Sequence, residues 1–153
     1  LTGLFNRRGF NQLLRFTLSV ARRRAEPLTL GWLDLDRFKE INDRYGHEEG
    51  DNALKVMAEL MRTSFREADL LVRFGGDEFA VLFADTDEQG AWIAMQYLAE
   101  QVEQYNARRL HPWSLHFSWG LSEFDHNGND LQQWMKDADE KMYAMKQQRK
   151  RAT

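Results

Sequence analysis

The sequence contains no cysteine, only two prolines and only four histidines. The missing thiols exclude a disulfide scaffold, a thiolate metal site and cysteine-based catalysis. Four histidines without a thiol argue against a structural zinc site. No apolar run approaches the roughly 20 residues of a membrane-spanning helix, and no signal-peptide pattern opens the chain. Charge of one sign is lacking too: 21 Lys and Arg stand against 24 Asp and Glu, a formal net charge of −3. A globally basic surface is therefore not indicated, and no nucleic acid partner is expected. A small phosphate site, built from a few local donors, is still allowed. There is no internal repeat, no low-complexity stretch and no second domain, so one domain over residues 1–153 is expected. The chain opens at Leu1 and not at Met, and the domain is expected to be a piece of a longer protein.

What is present suits a packed globular domain. Of the 153 residues 42% are hydrophobic, 12% aromatic and 29% charged. A chain of this size buries about 68–70% of the surface its unfolded form exposes. Phe10, Leu13, Leu14, Leu18 and Ala21 recur at helical spacing and predict a helix from about Arg8 to Arg24. Leu28 to Asp34 predicts a buried strand, and Arg37 to Asp43 a short helical turn. Leu54, Met57, Ala58, Met61 and Phe65 share one face of a helix over Asp51 to Phe65. Leu70–Phe74 and Phe79–Phe83, split by Gly75-Gly76-Asp77-Glu78, predict a β-hairpin. Asp87 to Arg108 reads as a long helix, Ser114 to Phe124 as a strand interrupted at Gly120, and Asp130 to Gln148 as a closing helix. The polar, basic tail from Gln147 to Thr153 is expected to fray. From Leu28 onward the order is β-α-β-β-α-β. This is an α+β, ferredoxin-like arrangement with a helix added at each end and an antiparallel sheet under a layer of helices.

Four acids stand where such a fold concentrates its strand ends. Asp34 closes the first strand and Asp36 follows it, while Asp77 and Glu78 sit at the hairpin apex. Neighbouring strands lie about 4.8 Å apart. If the hairpin lies beside the first strand, Asp34 and Asp77 face each other and could bind divalent cations. The competing reading is turn acids facing water, and spacing alone leaves both open. Gly75-Gly76 would let a backbone approach a ligand, but Gly-Gly is also an easy hairpin turn. Backbone N–H groups after Arg37 and Phe38, with Lys39, could meet phosphates; a solvated lysine is the plainer alternative. Asn42 and Asp51 could read a guanine edge, with Asp accepting from N1–H and N2–H and Asn donating to O6 or N7. Asp51 is equally placed to cap its helix. Trp32, Trp92, Trp119 and Trp134 read as packing within strands and helices, and the methionines at helical spacing as core filler.

Arg73-Phe74-Gly75-Gly76-Asp77-Glu78-Phe79 resembles the signature of the GGDEF-domain diguanylate cyclases. The likeness extends in order along the chain. Leu1-Thr2-Gly3-Leu4-Phe5-Asn6-Arg7-Arg8 is similar to the family's opening segment. Asp34-Leu35-Asp36-Arg37-Phe38-Lys39-Glu40-Ile41-Asn42-Asp43 is similar to its first strand and turn. Tyr45-Gly46-His47 with Gly50-Asp51, Ser118-Trp119-Gly120, Ala138-Asp139, Tyr143 and Lys146 continue the series. The resemblance implies a palm-type nucleotidyl cyclase that condenses two GTP into cyclic di-GMP and two pyrophosphates. Two Mg²⁺, with Mn²⁺ as the alternative ion, would be held by Asp34, the Leu35 carbonyl and Asp77. Guanine would be read by Asn42 and Asp51. Phosphates would meet Lys39, the backbone around Arg37 and Phe38, Lys146 and the Gly75-Gly76 turn. Between Asp77, Glu78 and a metal-bound hydroxide, the acceptor of the 3′-hydroxyl proton stays open.

The same resemblance implies a homodimer, since the cyclic product is two-fold symmetric and each domain holds one GTP. It implies a cytoplasmic location, with an upstream sensor domain or membrane anchor in the full-length protein. Arg66-x-x-Asp69 looks like the family's product-inhibition site, where cyclic di-GMP would bind; a helix-ending Arg and a strand-starting Asp explain the same letters without a ligand. The family often adds an arginine from the next helix, and the positions near Tyr97 and Gln101 hold none, which predicts inhibition that is either weakened or reliant on arginines elsewhere. The family's Gly-Arg-Asn after the helical Lys is replaced by Gln147-Gln148-Arg149-Lys150, leaving Lys150 as the second phosphate-binding cation. Non-catalytic modules of this kind typically lack the hairpin acids. Both are retained here, which favours the enzyme.

Overall fold

The computed structural model describes residues 1–128 and 130–152. Among these described residues five helices and four strands follow in the order α1 (Arg7–Arg24), β1 (Leu28–Leu35), α2 (Phe38–Tyr45), α3 (His47–Ser64), β2 (Leu70–Gly75), β3 (Glu78–Ala84), α4 (Glu88–Ala107), β4 (Phe117–Glu123) and α5 (Leu131–Ala152). The strands form one sheet in the order β2-β3-β1-β4 with every neighbour antiparallel. The expected α+β, βαββαβ topology is therefore present.

The helices cover both faces of the sheet, not one. Along β1, Leu33 and Leu35 point to a core shared with Met57 and Met61 of α3 and Met95 and Leu98 of α4. The alternate residues Leu28, Leu30 and Trp32 pack with Phe10 and Leu14 of α1 and Trp134 and Met142 of α5. Period-2 alternation with apolar residues on both sides is what a sheet covered twice requires. The two helices added at the chain ends thus build the second layer.

Local chemistry sets the boundaries. Asn6 caps α1 by accepting from the Gly9 N–H at 2.9 Å, and Asp87 caps α4 by accepting from Gly90 at 2.8 Å. Helix α3 begins at His47, four residues before Asp51, so Asp51 does not cap it. Gly46, at φ +94, makes the break, and Glu48 and Glu49 supply first-turn acids that suit the helix dipole. Strand β4 begins at Phe117, later than expected. The Asn106 side chain takes both the N–H and the C=O of Leu115, at 2.8 and 2.7 Å, so those groups are spent before the ladder starts. Gly120 does not interrupt β4. A Cβ there would come within 2.3 Å of both Ala138 O and Met142 N, so the glycine lets α5 lie directly on the strand. The tail from Gln147 to Ala152 does not fray but completes α5, while Thr153 lies outside the described residues. Trp32, Trp119 and Trp134 are buried as expected; Trp92 is not, being 51% exposed on the outer face of α4. Among the described residues no helix is long and apolar enough to cross a membrane.

Candidate active site

The end of β1 and the tip of the β2–β3 hairpin build the first half of the site. Register places Asp34 opposite Glu78 on β3 and opposite Ser118 on β4. One step further, the Leu35 N–H donates to the Asp77 carbonyl at 3.1 Å. That bond locks the hairpin tip beside the strand end, and the Asp34 and Asp77 carboxyl groups come into contact. The tip itself is held open by two glycines at φ +130 and +53, with no atom within 4 Å of where a Cβ would stand. Arg73 closes it from the side, donating to the Gly76 carbonyl at 2.9 and 3.2 Å. The register shifts between Arg73 and Gly75, and Phe74 at the bulge stacks on Trp32 at 4.6 Å, anchoring the hairpin to the core.

Asp34 carries the electrostatic signature of the site. Burial pushes its carboxyl up to about 7, and the adjacent Asp77 carboxylate pushes in the same direction, while Lys146 opposes both. Its Oδ1 is buried with no donor of its own. Two carboxyl groups in contact can share only a proton or a cation. The nearest cation is the Lys146 ammonium, 2.9 Å from Asp34 Oδ2, 3.2 Å from the Leu35 carbonyl oxygen and 3.9 Å from Asp36 Oδ1. The donor set is all oxygen, two carboxylates and one carbonyl, which is the chemistry Mg²⁺ takes. No group of three or more Asp, Glu or His side chains is preassembled among the described residues. Such an ion would therefore complete its shell from water and substrate phosphates, as Mg²⁺ commonly does.

The second half is a cleft of about 860 Å³ beside Lys146. Arg37, Lys39, Lys146 and Lys150 line it, four of the predicted phosphate-binding positions. Arg37 adopts the left-handed region at φ +58 and leaves the first turn of α2 without a side-chain cap, so backbone N–H groups there remain for a ligand. Phe38 packs against the core as a half-buried residue. Asp36, His116, Tyr143 and Arg149 also line the cleft, and none was given a role by the sequence. Asp36 is a hub: the Ser118 hydroxyl donates to its Oδ1 at 2.8 Å and Arg149 to its Oδ2 at 3.3 Å. Arg149 also donates to the Phe117 carbonyl, tying α5 to β4. Its signal is the spacing, one turn after Lys146, which the polar and basic composition of the tail from Gln147 onward obscures.

Asn42 and Asp51 do not line this cleft. They meet at the α2–α3 corner: Asn42 Oδ1 lies where a Gly50 Cβ would stand, so Gly50 admits the amide against α3, next to the exposed Asp51. Arg66 and Asp69 lie elsewhere and engage each other. Both Asp69 oxygens are taken, by the Arg66 N–H at 3.0 Å and its guanidinium at 3.1 Å, and the Asp69 side chain is 2% exposed. Arg66 also reaches the Ala84 carbonyl at 2.6 Å and the Thr86 hydroxyl at 2.8 Å.

A paired carboxylate at adjacent strand ends, beside a cationic cleft on a four-stranded antiparallel sheet, defines the α+β palm-like class of nucleotidyl cyclases. The chain belongs to the diguanylate cyclase GGDEF family, whose domain model matches residues 1–152. It is 37% identical over 138 residues to the cyclic di-GMP phosphodiesterase NbdA of Pseudomonas aeruginosa, covering 90% of this chain and 18% of that one. It is 33% identical over 146 residues to the probable diguanylate cyclase DgcC of Escherichia coli K12, covering 95% of this chain and 39% of that one. Among solved structures, the GGDEF domain of DgcB from Caulobacter crescentus in complex with cyclic di-GMP superposes with a TM-score of 0.86 at 25% identity, covering 95% of this chain and 87% of that one. The chain thus spans well under half the length of both curated relatives.

Proposed function

We propose that this domain condenses two GTP into cyclic di-GMP and two pyrophosphates, at a face shared by two copies of the chain. The observation that carries the reading is the contact between Asp34 and Asp77, tied through Lys146 to a cleft that Arg37, Lys39 and Lys150 also line. Asp34, the Leu35 carbonyl and Asp77 would hold two Mg²⁺. Bound there, the ions supply charge neutralisation for the triphosphate and a lower pKa for the attacking hydroxyl.

The chain's own residues do the rest by positioning and charge. Asn42 and Asp51 hold the guanine edge. Lys39, Lys146, Lys150 and the first-turn N–H groups of α2 take the β- and γ-phosphates, with the Gly75-Gly76 turn leaving room for the triphosphate to approach the backbone. The 3′-oxygen of one GTP attacks the α-phosphorus of the other in line. The bond to the bridging oxygen breaks, pyrophosphate leaves, and the hydroxyl proton passes toward the carboxylates of Asp77 and Glu78. The second bond forms by the same step with the roles of the two copies exchanged. Arg66 and Asp69 would take cyclic di-GMP as inhibitor, the guanidinium leaving Asp69 to do so. In the full-length protein an upstream sensor segment would bring two domains together on the cytoplasmic side, where GTP is found.

The test is a mass-resolved assay. Nucleotide is stripped, GTP and Mg²⁺ are added, and cyclic di-GMP is followed over a series of protein concentrations. Product rising more than linearly with protein is expected. If GTP binds and no product forms even when two domains are fused to a dimerising segment, the reading is overturned.

A further inference from the structure

The proposed chemistry leaves one tightly bonded cluster unused. It lies in the connection between α4 and β4, against the α2–α3 corner. Trp113 is 6% exposed and donates its indole N–H to Glu49 Oε1 at 3.0 Å. Asn52 donates to Glu49 Oε2 at 2.7 Å. Glu49 belongs to the first turn of α3, two residues before Asp51. The His111 ring lies flat on the Trp113 indole, centroids 4.3 Å apart and planes within 6°, and its Nε2 is 2.8 Å from the Tyr105 hydroxyl. From the other arm of the corner, Tyr45 at the end of α2 donates its hydroxyl to the Pro112 carbonyl at 3.2 Å.

The connection therefore grips both arms of the corner at once. The corner turns on Gly46 at φ +94 with nothing within 4 Å of a Cβ position, so the grip from the connection adds to the one packing contact within it, Asn42 against Gly50. The two arms carry Asn42 and Asp51. A base edge is read by hydrogen bonds, and those are lost by small displacements of either partner. The two hydrogen bonds also hold the Glu49 carboxyl below the usual carboxylate range, so it stays an acceptor for Trp113 at neutral pH.

We propose that Trp113, acting through Glu49, is a positioning residue for guanine recognition: it fixes the first turn of α3 so that Asp51 and Asn42 converge on the base. The proposal rests on the reading of those two residues as base readers. It makes Trp113, which lines neither the cleft beside Lys146 nor the hairpin tip, a determinant of which purine is accepted.

The experiment compares GTP with inosine triphosphate, which keeps O6 and N1–H but lacks the 2-amino group. Trp113→Phe and Glu49→Ala are expected to raise KM for GTP about five- to tenfold with kcat within about twofold, and to lower the preference for GTP over inosine triphosphate. Glu49→Gln keeps an acceptor for the indole and is expected to restore both. Displacement of a fluorescent GTP analogue reads the same ranking without turnover, and melting curves verify that each variant is folded. Folded Trp113→Phe and Glu49→Ala proteins with parental KM and parental purine preference would reduce Trp113 to a packing residue and overturn the proposal. Asp51→Ala is the reference. If it leaves the purine preference intact, the base-reading assignment is wrong and the proposal falls with it. If it collapses the preference while the Trp113 and Glu49 variants do not, the positioning role alone is overturned.

Discussion

Lys146 Nζ sits 2.9 Å from Asp34 Oδ2 and 3.2 Å from the Leu35 carbonyl oxygen, on two of the three groups proposed to hold metal. An ammonium there partly neutralises a part-buried carboxylate that otherwise faces Asp77. It is held on the last helix, within reach of the cleft that would take phosphates. One lysine can thus exchange a carboxylate partner for a phosphate partner as substrate and metal arrive together. Replacing it should separate the two ligands. Lys146→Met is expected to bind Mn²⁺ more tightly than the parent when nucleotide is absent, by about tenfold, the scale of one close charge pair removed from a part-buried site. The same variant should bind GTP more weakly. Isothermal titration of each ligand alone measures both, and metal affinity unchanged or reduced without nucleotide would show that the lysine and the ion do not compete.

Asp77 lends its backbone carbonyl to β1 and its side chain to the site. Truncating only the side chain leaves the Leu35 hydrogen bond in place. Asp77→Ala is therefore expected to fold with a melting temperature at or above the parental one, since it also removes a charge pressed against Asp34. Turnover should fall by at least about 10³-fold, the scale seen when a main source of transition-state charge stabilisation is removed. Residual turnover near the parental rate would remove Asp77 from the metal site.

The raised pKa of Asp34 is a statement about stability with pH. A carboxyl whose folded pKa lies near 7, above its ordinary value of 3.8, favours the folded state in its protonated form. The contribution is present in full below about pH 4 and is lost as pH rises through about 7. Metal-free protein should therefore lose stability across that window. Asp34→Asn, which cannot ionise, should not lose this part. The melting temperature of the variant minus that of the parent should rise from near zero at pH 4 to on the order of 5 °C at pH 7.5. Adding Mg²⁺ at pH 7.5 should raise the parent and not the variant. A flat difference across the pH range would place Asp34 in water.

Much of this was legible in the letters because it follows from local rules. Apolar runs on β1 and β3, helical spacing on α1 and α3, and a Gly-Gly hairpin each depend on residues close in sequence. The facing of Asp34 and Asp77 needed only the hairpin and its neighbouring strand. What was missed depends on distant partners. Gly120 looked like a strand breaker because α5, which presses on it, arrives some twenty residues later. Arg149 looked like tail because its partners Asp36 and Phe117 are 113 and 32 residues away. Asp51 looked like a cap because Gly46 and two acids begin the helix earlier than polarity suggests. Trp92 reads as packing because it falls within a helix, but its place in the helix does not by itself say which face meets the sheet.

Gly120 gives a direct test of how α5, and with it Lys146 and Arg149, is seated. The contact is backbone to strand, with 2.3 Å left between a Cβ and both Ala138 O and Met142 N. Neither atom can rotate away, so Gly120→Ala must push the helix off β4. Overpacking of this kind costs about 1–3 kcal/mol, or a fall of roughly 2–10 °C in melting temperature for a chain of this length. The displaced helix also carries the ammonium away from Asp34, so affinity for GTP should drop in the same protein. A variant with parental melting temperature and parental GTP affinity would mean that α5 does not rest on the strand as described.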